Sequence, residues 1–180
     1  MASRTQQEIR DLLGVRVQVG EIVTISNAEL LWPNFSGAKD KYNAEGDRNF
    51  NLRLSQELAD ELTADGWNVK CKLARPEDPD SGERCVLKVT VNFGNKPPKI
   101  IQRGSITRRE TQLHEGIAGL MDSADIVTAD VSFVPYFWDV NGSVGMTAYL
   151  KTLYCVIQED ELDLKWNSED IDPVEENLGD

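Results

Sequence analysis

The chain has 180 residues, 40% hydrophobic, 7% aromatic and 28% charged, which fits one globular domain with a tail and excludes both a two-domain enzyme and wholesale disorder. Its formal net charge of −12, from 19 Lys and Arg against 31 Asp and Glu, taken whole argues against a nucleic-acid partner. No apolar run reaches the roughly 20 residues that cross a bilayer, and the opening MASRTQQEIRDLL lacks the basic patch and apolar core of a secretory signal, so a soluble protein that stays in the cytoplasm is expected.

In chain order, QQEIRDLL (6–13) is a helix too short to hold unless docked. From Arg16 to Ile25, the residues Val17, Val19, Val23 and Ile25 alternate as in a half-buried first strand. The segment from Asn27 to Phe35 continues extended, and Pro33 confines it to an edge or a strand end, because proline cannot donate to the ladder. Ser36 to Asp47 is a long loop rich in Gly, Asn, Asp and Lys. In RNFNLRL, Phe50, Leu52 and Leu54 alternate with polar residues, a strand that turns Arg53 away from the core. Ser55 to Gly66 has a serine N-cap, early acids, Leu58, Ala59 and Leu62 on one face and a closing glycine, the pattern of a helix. A strand around Trp67 to Leu73, a loop from Arg75 to Arg84 and a strand from Cys85 to Phe93 follow, with Lys88 on the polar face of the last. Thr107 and Glu110 have capping-box spacing and predict a helix to about Met121, weakened by Gly116 and Gly119. Ile126 to Trp138 and Ser143 to Gln158 are strands joined at Asn141-Gly142, a strong hairpin signal. About six to eight strands, one or two helices and no βαβ alternation make a mainly β, mostly antiparallel barrel or sandwich.

Charge is unevenly placed along this frame. Residues 159–180 hold ten acids and one base, Lys165, for −9, leaving 18 bases and 21 acids, −3, in residues 1–158. So dense a run of like charge, short of apolar partners, keeps Asn167 to Asp180 solvated and mobile. Cys71, Cys85 and Cys155 are odd in number, have no C-x-x-C spacing and accompany a lone histidine, so neither a zinc site nor a disulfide framework is expected, and no cofactor. That histidine, His114, lies in a polar run where an exposed helical position is expected. There is no Walker loop, G-x-G-x-x-G or G-x-S-x-G, so catalysis is not expected. Asp122, Asp125 and Asp130 could hold a nuclease metal, but acids at a helix-to-strand junction commonly cap and turn.

A single strand is bound by a positive groove for phosphates and aromatic faces for bases, and both are present. The loop GAKDKYNAEGDRNF gathers Lys39, Lys41, Tyr42 and Arg48. Between Cys85 and Arg109 there is no acid, while Lys88, Lys96, Lys99, Arg103, Arg108 and Arg109 are basic. Trp32, Tyr136, Trp138 and Tyr149 are the aromatics that alternation does not assign to the core, with Lys151 beside the last, whereas Phe50, Phe93, Phe133 and Phe137 read as buried.

The run WPNFSGAKDKYNAEGDRNFNLRL, the later WNVK and NKPPKI, the strands SFVPYFWDVNG and GMTAYLKTLYC and the acidic end together resemble the single-stranded DNA-binding proteins of tailed phages. The resemblance covers most of residues 18–180. It implies a five-stranded antiparallel OB-fold barrel over residues 1–158, a groove for single-stranded DNA, and a flexible acidic tail at 159–180 that recruits replication or recombination proteins or competes with DNA. Groove roles are implied for Lys39, Lys41, Tyr42, Arg48, Arg53, Lys88, Lys96 and Lys99. The tail ends NLGD, without the terminal aromatic or apolar residue of several such tails. Edge strands could pair copies into a homo-oligomer. Two other readings stand beside this one: an acidic DNA mimic or replication-protein partner that binds no DNA, and a metal-dependent recombination or nuclease factor. Whether the basic residues share one face separates the first from DNA binding.

Overall fold

The computed structural model describes residues 3–72, 77 and 84–169. Within them the chain runs through α1 (Gln6–Leu13), β1 (Val23–Ile25), β2 (Glu29–Asn34), β3 (Asn49–Leu54), α2 (Gln56–Asp65), β4 (Val69–Lys72), β5 (Arg84–Thr90), β6 (Lys99–Gly104), β7 (Glu110–Gln112), a 3-10 helix (Glu115–Ser123), β8 (Ile126–Val140), β9 (Ser143–Ile157) and α3 (Glu161–Glu169). The expected loop from Arg75 to Arg84, Leu73 and the tail from Asp170 onward fall almost entirely outside the described residues.

The β8–β9 hairpin organises the rest. Asn141 and Gly142 both take positive φ, 51° and 87°, the backbone that a two-residue turn between twisted strands requires, and Val140 pairs Ser143 across it. Ala129, Val131, Phe133 and Phe137 of β8 and Ala148, Leu150, Leu153 and Cys155 of β9 are buried on one side. The register slips twice, near the start of β8 between Ile126 and Thr128 and again from Ser132↔Thr152 to Phe133↔Leu150, the second leaving Lys151 as the extra residue of a bulge. On either side of that bulge β9 takes a different parallel partner, β5 through Ala148 and Tyr149 and β6 through Thr152 to Ile157.

The result is a mixed nine-stranded sheet of order β1-β8-β9-β5-β3-β2, with β4 added on β5 and β7 on β6. It is mainly β, as expected, but among the described residues it is open: β1 and β2 end the path without pairing to each other, so the five-stranded closed barrel is not what these residues build. One reason is the length of β1. Of the expected first strand only Val23–Ile25 joins the sheet, because Arg16 and Val17 donate their N–H groups to Asp65 O at the end of α2 and Val17 is buried there rather than in a ladder. Pro33 lies in edge strand β2, where the register also slips between Leu31 and Asn34, as its missing N–H demands.

Both helices near the N-terminal half are held by specific contacts. For α1, Thr5 caps Glu8 N, Ile9 is buried, and the Gln6 amide donates to Phe137 O and accepts from Phe137 N, at 2.6 and 2.9 Å. That amide satisfies a stretch of β8 edge that no strand covers, which is why so short a helix persists. For α2, Ser55 accepts from Leu58 N and Gly66 N–H closes on Leu62 O, with Ala59 and Leu62 buried.

The region after Thr107 departs from its capping-box reading. Glu110 pairs with Arg103 across the β6–β7 ladder, and the Thr107 N–H and hydroxyl both bond Glu159, so neither residue is free to cap the other. The helical turn comes later, as the 3-10 segment that buries Ala118 and Met121. The expectation about cysteines is also corrected: Cys71 and Cys85, facing each other in the β4–β5 register, form a disulfide, a pairing that sequence spacing does not signal. Where a mobile tail was expected to begin, Asn167–Glu169 continue α3.

Candidate nucleic-acid interface

Alternation that sends Phe50, Leu52, Leu87, Val89, Ala148 and Leu150 into the core sends their neighbours to the opposite, outer face of the sheet. Pairing then sets these in rows. One row runs Asn49, Thr90, Tyr149, Val134 across β3, β5, β9 and β8. The next places Leu31 and Asn51 beside Lys88, and a third Glu29 and Arg53 beside Val86 and Lys70. Arg84 and Lys72 pair at the far end.

The face has an aromatic half and a basic half. Tyr136 and Tyr149 stack with centroids 4.7 Å apart and planes 16° apart, and Tyr136 is 41% exposed. The Trp138 indole lies across the bare backbone of Gly145, its partner in the register, where any β-carbon would strike the ring. Its Nε1 donates to Thr147 Oγ1 at 3.0 Å, fixing the plane of the ring. Toward β5, β3 and β4 the side chains become Lys88, Arg53, Lys70, Arg84 and Lys72, and the Arg84 guanidinium sits 5.9 Å from the Trp32 ring centroid, with Trp32 56% exposed. Glu29 is the counter-charge to Arg53 at 3.5 Å, but a pair this exposed contributes little and leaves the arginine available. Lys70, Lys72 and Arg84 have no mark in the sequence that sets them apart; only the β4–β5–β3 register brings them together.

An open groove of about 480 Å³ lies alongside, between Gly46–Asn49, Lys88, Thr90, the 91–94 segment and Glu115. Arg48 borders it with its guanidinium committed: it donates to Phe35 O at 2.6 Å and lies 5.2 Å above the Phe93 ring. Phe93, read as buried, is half-buried instead, because β5 ends at Thr90 and the arginine covers the ring. The loop before Arg48 has a built base, with the buried Asn34 amide donating to Ala38 O and Asp47 O. At its tip Tyr42 is 85% exposed under Lys41. There Asp40 accepts from the Asn43 amide and from Tyr42 N–H, which hold its carboxyl below the usual range. Lys39 and Lys96 are exposed on loops, and Lys151 on the bulge. Lys99, over the Tyr154 ring at 5.7 Å, and Arg103, paired with Glu110, lie beyond that bulge on β6. There Asp130 stands opposite Tyr154, so both signs of charge meet.

Compared with models of protein families, residues 14–180 match the one described as "Putative phage ssDNA-binding domain". The chain belongs to this family. No curated protein sequence matches it. Among solved structures, the single-stranded DNA-binding protein from bacteriophage Enc34 in complex with ssDNA is 12% identical over 77% of this chain and 88% of that one, with a TM-score of 0.46. The single-stranded DNA-binding protein gp2.5 of bacteriophage T7 is 11% identical over 78% and 88%, with a TM-score of 0.36. In this phage ssDNA-binding domain two of the three acids considered for a metal have separate duties. Asp122 accepts from Phe35 N and Ser36 N, Asp130 accepts from Asn27 N, and no metal-holding group of side chains occurs among the described residues. No helix among the described residues is long and apolar enough to cross a membrane.

Proposed function

We propose that the outer face binds single-stranded DNA, bases stacking on Tyr136, Tyr149 and Trp138 while phosphates follow Lys88, Arg53, Lys70, Arg84 and Lys72. The observation that carries this reading is the joining, on one face, of a stacked tyrosine pair, Tyr136 exposed and Tyr149 half-buried, to a basic ladder, the two ingredients of sequence-tolerant single-strand binding. Family membership supports it. So does the placement of basic residues in a chain of net charge −12, because a DNA mimic has no use for a basic face. Lys39, Lys41, Tyr42 and Lys96 reach in from loops, Trp32 extends the stack under Arg84, and Arg48 holds the groove wall. Lys99, Arg103 and Lys151 flank the path on the β6 side.

The protein coats single strands during phage DNA replication or recombination in the host cytoplasm, without catalysis or cofactor. Residues 1–158 are the binding unit, and 159–180 are an acidic tail that meets replication or recombination proteins or competes for the track. Titration of tryptophan fluorescence with oligo-dT and with duplex, at several salt concentrations, tests the reading. Salt-sensitive quenching by the single strand alone is expected; no quenching and no change in oligonucleotide anisotropy would leave the acidic surface as the functional one.

A further inference from the structure

We propose that the groove beside the aromatic row is a pocket for one unstacked guanine, which goes beyond sequence-tolerant coating and rests on the outer face being the DNA track. The groove, about 480 Å³, has room for a nucleotide. Thr90 lines it and is the register neighbour of Tyr149, so a base that leaves the Tyr136–Tyr149 stack finds it next door. One wall is flat: the Phe93 ring with the Arg48 guanidinium above it, the kind of surface on which an unstacked base lies. Arg48 is held in place by Phe35 O and by Glu115, whose Oε1 is 3.9 Å away.

The polar lining suits a base and not a phosphate. Asp47 and Glu115 offset Arg48 and Lys88, which line the groove with them, so its charge is balanced and favours a neutral base edge over a phosphodiester. Asp47 is occupied by Ala44 N–H, whereas the Glu115 side chain remains 67% exposed. A carboxylate has two acceptor oxygens and no donor. Guanine is the base whose Watson–Crick edge sets two donor groups, N1–H and the N2 amine, side by side to meet them. Adenine and cytosine place a ring acceptor beside their amine, and thymine flanks its one N–H with two carbonyls, so each sets a lone pair against the second oxygen. Lys88, at the groove and on the ladder, is left for the phosphate of the same nucleotide.

Anisotropy titrations with oligo-dT, and with the same oligonucleotide carrying one central guanosine or inosine, test this on the full chain and on Glu115→Gln. One guanosine is expected to tighten binding about tenfold, the scale of a bidentate base contact. Inosine, which lacks the N2 amine, is expected to recover only part of that gain. In Glu115→Gln the oligonucleotides should converge while oligo-dT itself binds more tightly as a negative charge is removed, a combination that a merely structural role for Glu115 does not produce. Equal affinity of the unaltered protein for dT and guanosine-bearing strands would overturn the pocket while leaving the track intact. A guanosine preference that survives Glu115→Gln would overturn it as well. Failure to bind any of the strands would overturn the track reading and the pocket with it.

Discussion

Tyr149 is the side chain at which the two halves of the outer face meet, stacked on Tyr136 on one side and beside Thr90 on the other. Tyr149→Ala is therefore expected to lose about 1–3 kcal/mol of oligo-dT affinity, the usual contribution of one base stack. Anisotropy at fixed salt measures the loss, and an unchanged circular dichroism spectrum excludes misfolding. A second residue-scale expectation concerns pH. The Glu159 carboxylate accepts from Thr107 N–H at 2.9 Å, Ile106 N–H at 3.0 Å and the Thr107 hydroxyl, and these bonds, the Thr107 N–H first, hold its carboxyl below the ordinary glutamate value. A depressed carboxyl stabilises at pH above that ordinary value, and the contribution is lost as pH falls through the folded-state value. Acid titration should thus release the link between β9's end and the β6–β7 turn, seen as movement of the Ile106 and Thr107 amide resonances. Glu159→Gln should flatten that movement.

At the scale of elements, β4 carries the sharpest expectation. Lys70 and Lys72 join the proposed track only because Cys71 lies opposite Cys85 in the ladder, so Lys70→Ala with Lys72→Ala should weaken oligo-dT binding. The change should also make the slope of log K against log salt shallower by about 1.4, roughly 0.7 for each single-strand phosphate that is no longer neutralised; an unchanged slope would remove β4 from the track. That part of the site was illegible in the sequence for a physical reason. Alternation tells which side of its own strand a residue takes, but not which strand lies beside it, and β9 takes two parallel partners that no local signal specifies. The stretch after Thr107 misled because tertiary partners, Arg103 and Glu159, took the groups that a local cap would have used. Where the deciding interaction is local, the sequence was readable: Asn141-Gly142 made its hairpin, Ser55 and Gly66 bounded α2, and Pro33 kept β2 at the edge. The aromatic half of the candidate face was legible for the same reason, since Tyr136, Trp138 and Tyr149 lie on the hairpin's own strands.

For the whole molecule, charge is divided between a body of −3 and a terminal segment of −9. If that segment competes for the basic ladder, deleting residues 167–180 should tighten oligo-dT binding several-fold at low salt, with the gain shrinking as salt screens the competition. Equal or weaker affinity in the shortened protein would end that role for the tail. The sheet also fixes an order of assembly. Strand β1 pairs with β8, β5 and β6 with β9, and α1 docks on Phe137, so most of the body leans on the hairpin that the ribosome makes after every other strand of the sheet. Pairings this distant in sequence are slow to close, and during synthesis the earlier edges wait unpaired. A nascent chain that stops before Asn141 thus has Tyr136 and Trp138 but neither Tyr149 nor the strand that ties them to the basic residues of β5. Truncated products then lack the Tyr136–Tyr149 stack on which the proposed track depends.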